Sequence, residues 1–170
     1  MAPRRMLVIN PNSNETVTEG LRQSLADFGP GIDCCTLPEG PFGIESDDDI
    51  DAVKPLIIDR IVQSPAYDAY VIACYSDPGL DECRQRFDKP VFGLQMSAIE
   101  TAVAGGRRFG VLALSDDSIA RHLRYINKLG FDRQLAGELP LDISVDEAAN
   151  DPDTLEMPGA PDPTAWGLHG

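Results

Sequence analysis

Cys74 closes the apolar run AYVIAC, and the residues after it change character at once: Tyr75, Ser76, Asp77, Pro78 and Gly79 are polar or turn-forming. A cysteine at the end of a buried strand is placed to act as a nucleophile or a base. The reactive form is the thiolate, which the positive end of a following helix favours. Pro78 suits the first turn of such a helix, with Asp77 as its cap. The Asp77 carboxylate opposes the thiolate, because a nearby negative charge raises a thiol pKa. The plainer alternative is that Cys74 is a small buried residue ending a strand, as most unbridged cysteines are.

Other segments bring polar groups after apolar runs. Asn10, Pro11, Asn12 and Ser13 follow MLVI; Gln95 and Ser97 follow VFGL; Ser115 follows GVLAL. These are neutral hydrogen-bonding groups around one thiol. No GxGxxG follows the first run, so a dinucleotide is not expected. Asn10 and Asn12 are equally at home as turn residues beside Pro11. Cys83 shares a helical face with Leu80 and Phe87 and is expected in the core. Cys34 and Cys35 point to opposite faces of a strand and read as structural. His122 is expected on a helix surface. Neither histidine lies near a cysteine in the sequence, so no metal site is expected.

Positioning these groups requires alternating strands and helices. RRMLVIN reads as a first strand, and Ser13 or Asn14 caps a helix that carries Leu21, Leu25 and Phe28 on one face. GIDCCTL is a second strand. Ser46 caps a helix through IDAVKPLIIDRIVQ, with a bend or late start at Pro55. YDAYVIAC is a third strand, DPGLDECRQRF a helix, KPVFGL a fourth strand, SAIETAVAGG a short helix and RRFGVLALS a fifth strand. DDSIARHLRYINKLG is a helix closed by Gly130, and RQLAGELPLDI holds a weaker sixth strand. The alternation predicts an α/β fold with parallel sheets flanked by helices. Ligands bind such sheets outside the carboxyl ends of the strands, where Cys74 and Asn10 lie.

The chain has 170 residues, with 28 acidic and 14 basic side chains and a formal net charge of -14. Nucleic acid and anionic lipid are therefore poor partners, while a small anionic ligand stays possible, because one site can be locally positive or rich in backbone N–H groups. The apolar stretch in MAPRRMLVIN is too short for a signal-peptide core, and no later run is long enough to span a membrane. A cytoplasmic protein with reduced thiols is expected.

The segments VINPNSNETVT and YDAYVIACYSDPGL together resemble the Asp/Glu/hydantoin racemase family, most of all its hydantoin and allantoin racemase branch. KPVFGLQMSAIETAVAGGRRFGVLALS fits the family's middle region, and the resemblance covers roughly residues 4 to 156. It implies two pseudo-symmetric α/β halves with a site between them, no cofactor, and one cysteine from each half on either face of the substrate's Cα. Racemisation without a cofactor needs a base on one face and an acid on the other. The resemblance makes Cys74 the catalytic thiol of the first half. It gives substrate binding to Asn10, Asn12 and Ser13, with Ser76 and Ser115 as further candidates. The substrate it implies is an amino-acid derivative such as a hydantoin.

The second cysteine of this pattern would follow NDPDTLE, but no cysteine follows Cys83. MPGAPDPTAWGLHG, residues 157 to 170, has three prolines and three glycines and no regular period. The expected organisation is a first half over residues 1–95, a partial second half over 96–156, and an irregular tail left by truncation or a change of reading frame. Apolar faces left uncovered would favour a homo-oligomer. The alternatives are a one-cysteine decarboxylase or isomerase of the same superfamily and a catalytically inactive fragment.

Overall fold

The computed structural model describes residues 4–150; the Pro/Gly-rich segment from 157 onward lies outside the described residues. The chain divides into two compact units, Met1–Ser97 and Ala98–Gly170.

The first unit is built on a four-stranded sheet in the order β2-β1-β3-β4. The strands are β1 (Met6–Asn10), β2 (Ile32–Thr36), β3 (Ala69–Ile72) and β4 (Val91–Gly93). All three pairings are parallel, with Met6 opposite both Ile32 and Ala69, and Tyr70 opposite Val91. Every residue of β1 after Met6 is buried, as expected of an inner parallel strand covered on both faces. Helix α1 (Glu15–Leu25) follows β1 and is capped by Asn14, whose side chain accepts from the Thr16 N–H. A 3₁₀ turn over Ala26–Phe28 ends it and leaves Phe28 75 % exposed, outside the core that its helical spacing suggests.

Helix α2 (Asp47–Gln63) opens on a capping box between Ser46 and Asp49 and runs through Pro55 without a break. Its buried residues Val53, Ile57 and Ile61 recur every fourth position and face one cluster with Leu7, Ile9, Tyr70 and Ile72. Helix α3 (Leu80–Arg86) begins two residues later than Pro78 suggests, with Gly79 as its N-cap in the left-handed region at φ 70°. Helix α4 (Leu94–Val103) starts directly after β4, three residues earlier than Ser97.

The second unit pairs β5 (Phe109–Ala113) and β6 (Leu135–Pro140) in parallel, joined by α5 (Asp116–Leu129) and followed by α6 (Val145–Asn150). The sixth strand is present, with a register irregularity at Phe109 and Gly110. His122 is not on the surface. It is buried on α5, with its Nδ1 2.9 Å from Glu138 Oε2 on β6. It lies on the inward face of α5 with Ser118 and Ile126, four residues to either side, and its polar ring is tolerated there because it finds a buried partner sixteen residues away. No helix among the described residues is long and apolar enough to cross a membrane.

Candidate functional site

Cys74 sits two residues beyond the end of β3, in the loop leading to α3. Before it, the Ala73 N–H donates to the Ile9 carbonyl at 2.9 Å, so the chain enters the loop alongside the end of β1. After it, the Asp77 N–H donates to the Cys74 carbonyl at 3.1 Å and closes a turn over Tyr75 and Ser76. Cys74 and Ser76 are both half-buried. Asp77 takes the left-handed conformation at φ 44°, uncommon for a residue with a side chain.

That strain is held by a specific tie. The buried Asp77 carboxylate accepts the Gln95 N–H at 2.9 Å and the Met96 N–H at 2.8 Å. It therefore caps α4, whereas the short-range spacing of Asp77 and Pro78 points to α3. The amides at the start of α4 face the carboxylate's charge, as favours an anion at a helix N-terminus. Gly93 is required by the same contact, because a Cβ there would run into the Asp77 carboxylate.

The loop after β1 is ordered by asparagines. The Asn10 amide nitrogen donates to Asn12 Oδ1 at 2.7 Å, to the Asn14 carbonyl at 3.1 Å and to Thr18 Oγ1 at 3.0 Å. Its Oδ1 accepts the Asn12 N–H, and the Asn14 N–H donates to Asn12 Oδ1. Thr18 Oγ1 in turn lies 2.6 Å from Thr36 Oγ1 at the end of β2. Asn10 is fully buried, so its amide shapes the loop rather than facing outward. Asn12 uses its oxygen twice, which leaves its Nδ2 as the donor this loop can offer a ligand. Ser13 is half-buried, and its N–H is taken by the Pro41 carbonyl at 2.9 Å.

The structure thus gathers Cys74, Ser76, Asn10, Asn12 and Ser13 along the carboxyl-terminal edge of one sheet. Ser115 belongs to the second unit, where its hydroxyl accepts the Ser118 N–H at 3.3 Å and caps α5. A groove of about 650 Å³ at the opposite edge of the first sheet is lined by Arg4, Gly31, Ala69 and Phe92 and takes in none of these residues.

The other thiols sit differently. Cys83 is fully buried in the core, and desolvation pushes it up to about 11. Cys35 packs partly against the same core, and burial is the main cause that raises both it and Cys34. None of the four is in a disulfide. Among the described residues, no three His, Cys, Asp or Glu side chains converge as metal ligands would.

Two features of the site were not evident from residue types. One is the bond from Asp77 to α4, for which DPG offered only the local turn. The other is the Gln95 side chain, which is fully buried while its Nε2 and Oε1 have no partner among the described residues.

Comparison with known proteins supplies the context for this edge. A family model described as Asp/Glu/Hydantoin racemase matches residues 6–157. A hydantoin racemase from Paenarthrobacter aurescens is 34 % identical over 139 residues, covering 78 % of this chain and 58 % of that protein. One from a Pseudomonas species is 35 % identical over 115 residues, covering 65 % of this chain and 46 % of the relative. Among solved structures, an allantoin racemase from Klebsiella pneumoniae superimposes with a TM-score of 0.82 at 23 % identity, over 91 % of this chain and 65 % of the other. One from Pseudomonas fluorescens gives 0.80 at 21 % identity, over 89 % and 66 %. These two structures establish a shared α/β fold, and the chain spans about half to two thirds of the length of these four relatives.

Proposed function

Because the chain belongs to the Asp/Glu/hydantoin racemase family, we propose that it catalyses cofactor-independent proton transfer at the Cα of an amino-acid derivative, with a hydantoin as the substrate type. The relatives named as hydantoin racemases suggest the substrate. The observation that carries the role assignment is the placement of Cys74. It is the single cysteine set beyond a strand end in the first sheet, in a turn fastened at both sides.

In this reading the Cys74 thiolate removes the proton on the substrate carbon it faces, and the resulting thiol returns one. The negative charge moves to the adjoining carbonyl oxygen as the carbon becomes planar. Donors already fixed in place stabilise that oxygen without reorganising. Ser76 Oγ and Asn12 Nδ2 are the candidates for this task, with Ser13 at the rim. Asn10 works behind them by holding Asn12 in place.

A second reading draws on the same placement. A single thiol at this edge is also what a one-cysteine decarboxylase or isomerase requires, since protonation of one face completes such a reaction.

The test is substrate protection of a thiol. Iodoacetamide near neutral pH should modify Cys74 first, and a saturating 5-substituted hydantoin should slow that reaction while leaving Cys34 unaffected. Labelling of Cys74 that is indifferent to the hydantoin would remove the substrate assignment.

A further inference from the structure

Gln95 is the second residue of α4. Its backbone is fixed, because its N–H donates to Asp77 Oδ1 at 2.9 Å. Its side chain is not fixed in this way. Nε2 and Oε1 are both buried and both lack a hydrogen-bond partner among the described residues, and the residue is 0 % exposed. A buried amide with neither end satisfied is unfavourable, and native interiors keep few such groups. An apolar side chain of the same size would suit the position better for folding alone. Positions that break a local rule in this way are expected at functional sites.

The strand end that leads into it supports a role beside Cys74. Ile72 and Gly93 are the last registered pair of β3 and β4. Cys74 and Gln95 each lie two residues beyond that pair, at the same edge. Asp77 connects them, accepting from the Gln95 N–H through its carboxylate while its own N–H reaches the Cys74 carbonyl at 3.1 Å.

We propose that Gln95 reads the amide edge of the substrate ring. This rests on the reading of Cys74 as the proton-transfer residue and names the chemical class that the site selects. A primary carboxamide shows an N–H donor and a carbonyl acceptor side by side. That pair complements a cis-amide in a ring, which shows the opposite pair side by side, and two parallel hydrogen bonds form. A free carboxylate would use Nε2 alone and set a negative oxygen against Oε1. The side chain therefore favours a cyclic ureide or imide over an open amino acid. Pairing with the C4 carbonyl and N3–H of a hydantoin also turns Nε2–H toward the oxygen that gains charge when C5 loses its proton. The amide is covered in this structure, so it turns outward as the ligand arrives. That rotation breaks no hydrogen bond of the side chain to the protein, since it makes none.

The experiment is a calorimetric titration of the full chain with three ligands that have no proton on C5 and so cannot react: 5,5-dimethylhydantoin and its 1-methyl and 3-methyl derivatives. Wild type should bind the parent and the 1-methyl compound alike, and the 3-methyl compound roughly tenfold more weakly. Gln95→Met should bind all three equally, at the weak level, and should melt higher, by roughly 4 °C, because an unsatisfied buried amide has gone. Gln95→Glu should repeat the binding loss without the added stability. Equal binding of the parent compound by wild type and Gln95→Met overturns the proposal and leaves the role of Cys74 standing. A preference for N3–H that Gln95→Met abolishes, in a chain that exchanges no C5 proton, supports the proposal and fails the reaction. No binding of any of the three by wild type overturns both the proposal and the hydantoin assignment.

Discussion

Asp77 Oδ1 accepts the backbone N–H of Gln95 at 2.9 Å, across eighteen residues of sequence. One carboxylate thereby fastens the turn that carries Cys74 to the first turn of α4, and compensates for a left-handed backbone at a residue other than glycine. Asp77→Ala removes both hydrogen bonds to α4 and leaves alanine in a conformation it disfavours. The expected loss is about 2–4 kcal/mol, combining a helix cap with backbone strain, read by urea unfolding. Proton exchange at the substrate carbon should fall with it even where the protein remains folded. A variant as stable as wild type would show that the tie is incidental.

Gly93→Ala tests the same contact from the other side. The new methyl group meets the Asp77 carboxylate. A cost of about 1–3 kcal/mol is expected for this overpacking. Because the clash is with one side chain, Asp77→Gly in the same chain should absorb most of it. A double-mutant cycle with no coupling energy would place the strain elsewhere.

Asn10→Ala should be costly, because its amide is buried and bonded within the loop. The amide serves three acceptors and the oxygen one donor, all at buried positions. Removing it strands several of them, for an expected loss of about 2–4 kcal/mol. Thr18→Val, which breaks only the Thr18–Thr36 and Asn10–Thr18 contacts, should cost less. Equal losses in thermal or urea unfolding would contradict the picture of Asn10 as the hub.

The Cys83 thiol, raised to about 11 by burial from an ordinary 9.0, predicts an alkaline weakness. The fold favours the protonated, neutral form. Its contribution is complete below about pH 9 and is lost as the pH rises through about 11. Cys83→Ala should be the less stable protein near neutrality, from the cavity it creates, but should show a shallower decline in stability between those limits. Parallel stability curves for the two proteins over that range would contradict the assignment.

These predictions separate what local sequence could show from what it could not. Ser46 with Asp49, the fourfold spacing of Val53, Ile57 and Ile61, and the apolar run of β1 are signals carried within one turn or one strand, so the elements and their inward faces could be read directly. The buried place of Cys83 was legible for the same reason. The partner of Asp77 is not a local property. DPG favours a turn and a helix start, and nothing within several residues indicates that the carboxylate reaches α4. The partner of His122 is likewise non-local, since Glu138 comes from the next strand, although its spacing with Ser118 and Ile126 puts it on the inward face of α5. Cys74 was legible as the end of a run, but the loop that sets it apart from Cys34 and Cys35 depends on contacts with β1 and α4.

The most direct measurement follows one enantiomer of a 5-substituted hydantoin in D2O by proton NMR at C5, with chiral chromatography of the same sample. If Cys74 is the group that moves the proton, wild type exchanges one enantiomer at C5 with retention of configuration and leaves the other at the spontaneous rate. Cys74→Ser should lower the first to that same spontaneous rate. Interconversion of both enantiomers, abolished by Cys74→Ser, would keep Cys74 and bring a second proton-transfer group to the opposite face. Exchange by Cys74→Ser at the wild-type rate would contradict the account.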